Sequence, residues 1–398
     1  MTGTSGWDRL VGEVGERVVQ PELAVIERRV RRRRARRRTA AATGAVVVAV
    51  AGGLWAGTPG ADGPSGVAAS PSGGPVLVWA AAGDADHLYG LLSEPAGSRL
   101  VGSDDGGRTW TVRQAAWSGE GGRPRVAAAG TLLAPAVHEK PPVRGRPARL
   151  STDGGRTWAD LATATSPVAR VPAAGWLACA GELTGQDTCD PWVVDPGARR
   201  AGPLATPPDL TVRDVPELPP AAGLWVTGVD GSGRAAVGVS RDGGATWSTH
   251  GFPVPEGRSG DLVHLPRVRL STRDGRTVDA VVGNGLSDYG FRSTDGGRTW
   301  HATNGGAPLP GALDVDDPAV TLPDGTHVLQ RRDGDRIRPL FGGGAAGYVA
   351  DGDRQWPATA AHTAPDGTLV SRDWDNLYLS TDGAAWFEVP VTTSAGTG

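Results

Sequence analysis

Cysteine is nearly missing from this chain, with two residues, Cys179 and Cys189, in 398. Lysine is rarer still, one among 40 basic residues, and Tyr and Phe stop at four each. Two thiols exclude a disulfide-dense scaffold, and alone they are too few ligands for zinc. No G-x-S-x-G and no H-E-x-x-H occurs, so neither a nucleophile elbow nor a zincin helix can be drawn. A strong charge of one sign is also lacking: the net charge is −3. Residues 1–38 hold 11 Arg against five acids, which leaves the rest mildly acidic and excludes a nucleic-acid surface there. Seven scattered His and the acidic stretch LDVDDP (313–318) lack the spacing of a metal loop, so no metal and no cofactor is expected. GGGAAG (342–347) matches G-x-G-x-x-G by letter, but no amphipathic helix follows it and it reads as a loop.

What is abundant is glycine (61), proline (32) and tryptophan (14). The glycines stand in short clusters between apolar runs, as turn punctuation does in β proteins. One string recurs: GSDDGGRTW (102–110), LSTDGGRTW (150–158), VSRDGGATW (239–247) and RSTDGGRTW (292–300). Its pattern, S-x-D-x-G-x-T-W, picks out Ser103, Asp105, Gly107 and Trp110, then Ser151, Asp153, Gly155 and Trp158. Ser240, Asp242, Gly244 and Trp247 follow, then Ser293, Asp295, Gly297 and Trp300. A shortened copy, STDGAAW, carries Ser380 and Asp382. Alternating runs flank each copy, which predicts strand, tight turn, strand. In such a turn Asp accepts backbone N–H bonds, Gly supplies a positive φ, and Thr and Trp restart the strand. These carboxylates are read as architecture, already engaged with amides.

The motif resembles the Asp-box, or BNR repeat, of sialidase-like β-propellers, sortilin-type ectodomains and some glycoside hydrolases. That resemblance implies that each box joins the third and fourth strands of a blade, on the rim and away from a central site. The full boxes begin at 103, 151, 240 and 293, and the wide gaps ask for worn copies. VVDPGARR (193–200) fits the first gap. VADGDRQW (349–356) or RRDGDRIR (331–338) fits the second. Units of about 45 residues then make an all-β propeller of four-stranded blades over 76–391, seven favoured and six the fallback. Closure of the ring by strand exchange is not evident, and Cys179 and Cys189 read as one disulfide across a hairpin.

Upstream, RRVRRRRARRR (28–38) runs into 19 uncharged residues, 39–57. As a helix this segment just crosses a hydrocarbon core of ~30 Å. The arginines place residues 1–38 inside the cell and the propeller outside, on a Gly/Pro/Ser tether over 58–75. A cleaved export signal is the other reading of the same segment. The expected localisation is the cell membrane, single-pass, with the C-terminal domain extracellular and residues 392–398 as a tail.

True sialidases carry an arginine triad, a Tyr–Glu nucleophile pair, an Asp acid/base and a Phe/Tyr-Arg-Ile-Pro segment. That tetrapeptide is absent here, and no three arginines stand out. Tyr89, Tyr289, Tyr348 and Tyr378 have no visible Glu partner among Glu94, Glu120, Glu139, Glu182, Glu217, Glu256 and Glu388. No catalytic residue is nominated. The sequence points to a non-catalytic, extracellular, membrane-anchored bacterial propeller binding a protein, peptide or envelope glycan. A divergent exo-α-sialidase or related glycoside hydrolase is the alternative.

Overall fold

In a computed structural model, residues 75–391 are described apart from 95–96, 114–122, 137–146, 185–188, 256, 260–261, 264–265, 311–318, 334–335, 344–346, 352–353, 355 and 358. The segments 1–38, 39–57 and 58–74, the stretch 313–318 and Glu120, Glu139 and Glu256 lie outside the described residues. No helix among the described residues is long and apolar enough to cross a membrane.

Seven four-stranded sheets follow one another along the chain, at 76–112, 125–160, 162–203, 211–251, 267–302, 320–349 and 362–390. They are the blades of a seven-bladed propeller, numbered here 1 to 7, so the count of seven holds. A two-stranded hairpin, Arg258–Ser259 with Leu262–Val263, lies between blades 4 and 5.

The period-2 alternation of each strand supplies two apolar faces, because a blade is covered on both sides. In blade 1, Leu88 and Leu92 face blade 7, while Tyr89 and Leu91 face blade 2. In blade 5, Val278, Ala280 and Val282 pack against blade 4, and Val281 packs against blade 6. The described residues form seven apolar clusters, and each one fills a single seam between neighbouring blades.

Blades 1 and 7 are each built from consecutive strands, so the ring closes without strand exchange. Its closure is the seam itself: Leu77, Ala80 and Leu88 pack against Val370 and Leu377. Two hydrogen bonds add to it. Leu77 N donates to Trp374 O at 2.8 Å, and Arg372 Nη1 donates to Leu77 O at 2.7 Å.

Blade 3 departs from the regular order. Its outermost strand, Ala162–Thr163, enters before the others and runs parallel to Arg200–Pro203. Cys179 and Cys189 are disulfide-bonded, with Cα atoms 4.2 Å apart. They bracket the connection between Trp176–Cys179 and Pro191–Asp195, which contains a short helix, Ala180–Thr184.

Each box seats against the blade before it. The second box glycine has positive φ, and a Cβ there would also strike that neighbour. At Gly107 (φ +85°) it would lie 2.0 Å from Val389 Cγ1 of blade 7. At Gly297 (φ +85°) it would lie 2.7 Å from Trp225 Cη2 of blade 4. Gly107→Ala is expected to cost about 2–4 kcal/mol, combining backbone strain with overpacking. Gly305→Ala, also at positive φ (+62°) but with open space around it, is expected to cost only about 1–2 kcal/mol. Urea unfolding of both variants measures the difference, and equal losses would show that contact with the neighbouring blade contributes nothing.

Candidate functional site

The box carboxylates come first because they are the most repeated polar groups. In box 1, Ser103 Oγ donates to Asp105 Oδ1 (2.7 Å) and accepts from Gly107 N (2.8 Å). Asp105 then accepts from Thr109 N (2.9 Å) and Thr109 Oγ1 (2.7 Å). The same four bonds recur from Ser151, Ser240 and Ser293. The copy at Ser380 and Asp382 lacks the Thr, and Asp382 accepts instead from Ala384 N and Ala385 N. Thr109, through side chain and backbone, holds the Asp105 carboxyl down to about 2, with Ser103 assisting. Thr246 does the same for Asp242, also to about 2. A carboxylate this acidic, with its oxygens used inside a turn, is unsuited to acid–base work near neutral pH.

All five boxes join the third and fourth strands of their blades. Each box tryptophan fills the seam with the preceding blade: Trp110, Trp158, Trp247, Trp300 and Trp386. The worn copies fall elsewhere. Asp195 of VVDPGARR ends the second strand of blade 3, at its turn into the third, and the fourth position of that blade is filled by a strand entering from blade 2. RRDGDRIR likewise falls where the second strand of blade 6 passes to the third, and VADGDRQW begins at the end of that blade's last strand, Tyr348–Val349. The third-to-fourth connection of blade 6, from Arg336–Gly342 to Tyr348–Val349, falls at GGGAAG and on neither copy.

The four tyrosines are occupied within blades or seams. Tyr89 is fully buried, and its hydroxyl accepts from Gly130 N at 3.1 Å; burial lifts its pKa to about 12. Tyr289 packs on the seam between blades 4 and 5. Tyr348 OH meets His327 Nδ1 at 2.7 Å, beside Asp279, which takes a two-pronged hydrogen bond from Arg292 (2.7 and 2.9 Å). Tyr378 donates to Asp373 Oδ2 at 2.7 Å. Burial first, then a nearby carboxylate, raises both Tyr348 and Tyr378. A nucleophilic tyrosine requires the opposite shift.

One charged group reaches across the ring. Arg125, on the first strand of blade 2, lies 3.5 Å from Glu217 of blade 4 and donates to Leu177 O of blade 3 at 3.1 Å. Blades 2 and 4 are not neighbours, so a contact between them places this group at the axis. Glu182 and Asp214 share the field of Arg125. Desolvation raises both carboxyls, Arg125 opposes the rise, and Glu217 and Asp214 add to it at Glu182. Asp214 is nonetheless exposed by surface area. The sequence placed Glu182 and Glu217 only in a roll of acids and did not single out Arg125 or Asp214. Residues of different blades, far apart in the chain, carry no shared spacing. Among the described residues no group of His, Cys, Asp or Glu is placed to hold a metal ion.

Five boxes seated in a ring of seven blades define the class: the chain is an Asp-box β-propeller. The BNR/Asp-box repeat family matches residues 291–302. No curated protein matches the sequence. Among solved structures, a GH74 enzyme from Niastella koreensis is similar at 13% identity and TM-score 0.34, over 78% of this chain and 65% of that one. YCF48 bound to D1 peptide is similar at 13% and 0.29, over 79% and 82%. A puromycin-hydrolysing peptidase of Mycobacterium tuberculosis is similar at 14% and 0.44, over 81% and 54%. This chain therefore spans less than two thirds of the length of the first and third. At such identities the likeness is one of fold alone.

Stability should fall in two steps on acidification. His362 has its pKa lowered by burial to about 4 from 6.5, so its contribution is lost as pH falls through that interval. Asp105 and Asp242 are lowered to about 2 from 3.8, so theirs is complete above 3.8 and lost toward 2. Unfolding free energy measured against pH shows both steps, with His362→Asn flattening the first and Asp105→Asn part of the second. A His362→Asn profile that matches wild type between pH 6.5 and 4 would remove the histidine from the account.

Proposed function

We propose that this chain is a binding propeller held at a bacterial cell surface and does not cleave its ligand. Residues 39–57 span the membrane once, 1–38 stay inside, and 58–75 tether the propeller outside. Its ligand is a protein, peptide or envelope glycan, met at the axial opening or on the face away from the boxes. The Cys179–Cys189 disulfide supports an oxidising, extracytoplasmic setting. The observation that carries the binding reading is the fate of the polar groups. The box carboxylates are held in turns and all four tyrosines are packed within the blades, while Arg125, Glu182, Asp214 and Glu217 converge at the axis. Loops from several blades held rigid by their sheets suit recognition.

One observation favours a second reading, a divergent glycoside hydrolase. Glu182 and Asp214 are raised carboxyls in one field, and a glycosidase works with two acids whose environments separate their roles.

The purified chain, offered a fluorogenic sialoside and a panel of other glycosides, is expected to release no more fluorophore than a heat-killed control. Release that Glu182→Gln or Asp214→Asn abolishes would replace binding with hydrolysis. For the placement outside, protease added to intact cells is expected to remove the propeller and spare residues 1–38. A propeller protected until lysis would overturn that arrangement.

A further inference from the structure

Five large apolar side chains are exposed among the described residues. Val112, Val349 and Phe387 lie on fourth strands, at the rim of blades 1, 6 and 7. The other two stand in second-to-third turns: Leu286 in blade 5, 55% exposed, and Trp374 in blade 7, 45% exposed. These two turns are built alike. Asn284 Oδ1 accepts from Leu286 N (3.0 Å) and Ser287 N (2.8 Å), and Asn284 N donates to Ser287 O (3.0 Å). Asp373 Oδ1 accepts from Asp375 N (2.9 Å) and Asn376 N (2.8 Å), and Asp373 N donates to Asn376 O (3.0 Å). Each apolar residue is thus presented on a fixed turn. In blade 4 the equivalent turn, 230–234, is held by Asp230 in a similar way but carries Gly231, Ser232 and Gly233. The turn itself does not call for an apolar tip.

Second-to-third turns lie at the end of each blade away from the boxes, so both tips belong to one face of the ring. On blade 6, between them, exposed Arg331 and Arg338 are paired across the second and third strands near the same end. Leu329 and Leu340, two residues away on each strand, pack on blade 5, so alternation turns both arginines to the side where Leu286 stands. The chain also enters the propeller at this end: Val76 begins blade 1, and Leu77 N donates to Trp374 O at 2.8 Å. Two tips on blades that are not neighbours share no groove, so a partner that meets both must be broad and flat. A surface of that kind suited to Trp, Leu and Arg together is the boundary between lipid headgroups and hydrocarbon.

We propose that the face away from the boxes rests on the outer leaflet of the membrane along blades 5 to 7. Leu286 and Trp374 enter the interface, and Arg331 and Arg338 meet lipid phosphates. This rests on the membrane-anchored reading above and gives the propeller an orientation. Two apolar side chains are too few to recruit a protein from solution. On that reading, however, the tether 58–75 keeps the propeller within roughly 23 Å of the bilayer, at an effective concentration on the order of millimolar, where weak contacts suffice. Arg125, Glu182, Asp214 and Glu217 come from blades 2 to 4, on the other side of the ring, and take no part.

The test is tryptophan quenching in the full chain, reconstituted in vesicles of equal parts phosphatidylcholine and phosphatidylglycerol, with and without bromine on the upper acyl chains. Trp55, within 39–57, reports the anchor, and Trp374 reports the face, each by the quenching that its Phe variant removes. In a Trp55→Phe chain, bromine should still quench, and adding Trp374→Phe should remove most of what is left. Leu286→Ser and Arg331→Gln should each lower the ratio of docked to undocked propeller roughly fivefold, read as lost quenching of Trp374. All three positions on the propeller are exposed, and unchanged urea midpoints will show that the variants fold. Quenching of Trp55 with none at Trp374 would overturn the docking and keep the anchor. Quenching of Trp374 with none at Trp55 would keep the docking and overturn the anchor, and none at either would overturn both. Quenching of Trp374 indifferent to Leu286→Ser would overturn the flat contact, and indifference to Arg331→Gln the phosphate contacts. Trp374 unquenched by bromine yet shielded from aqueous acrylamide would give the turns to a protein partner or a second copy and overturn the lipid assignment.

Discussion

The contact on which the ring depends is the seam between one blade and the next. An isolated four-stranded sheet with two apolar faces cannot remain in water, so every blade is stable only when covered on both sides. Here the described residues divide into seven apolar clusters for seven seams, and no larger common core unites them. The box is the device that fits one blade to another. Its glycine lets the turn approach the preceding blade, its tryptophan fills the seam beside it, and its Ser and Asp hold the turn in shape. Loss of a Trp of this kind costs about 3–5 kcal/mol in a packed interior. Blade 6 lacks a box, and blade 3 takes its fourth strand from the segment entering it, so the device serves five of the seven seams and is not obligatory.

This division of labour bears on function. Carboxylates in four or five equivalent turns draw attention as candidate acids, and the hydrogen bonds remove them from that role. Serine hydroxyls in the same turns donate to Asp and accept from Gly N, so they too are engaged within the turn. The tyrosines are removed by packing. Among the described residues, the charged side chains that blades present to the axis and to the turns away from the boxes remain available for recognition. Arg125 and Arg372 belong to that set because each reaches a blade other than its own.

Ring closure depends on Leu77. With no exchanged strand, blades 7 and 1 are joined by apolar packing and by the bonds from Arg372 and to Trp374. The backbone contacts that complete the ring therefore also fix the position of an exposed aromatic ring and a guanidinium, which ties the rigidity of this surface to the integrity of the propeller.

The sequence by itself determined the all-β class, the hairpin at every box and the disulfide, and its repeat spacing favoured seven units. The first three rest on residues within about ten positions of one another, where turn chemistry and alternation act locally; the count rests on the regular return of one motif along the chain. Only the tertiary structure decided that VVDPGARR sits in the wrong turn to be a box, because the fourth strand of blade 3 comes from an earlier part of the chain. Only it brought Arg125 to Glu217, 92 residues later, or Arg372 to Leu77 across almost the whole propeller. Such meetings are set by how blades stack around an axis, and the pattern of any one blade holds no record of what its neighbours present.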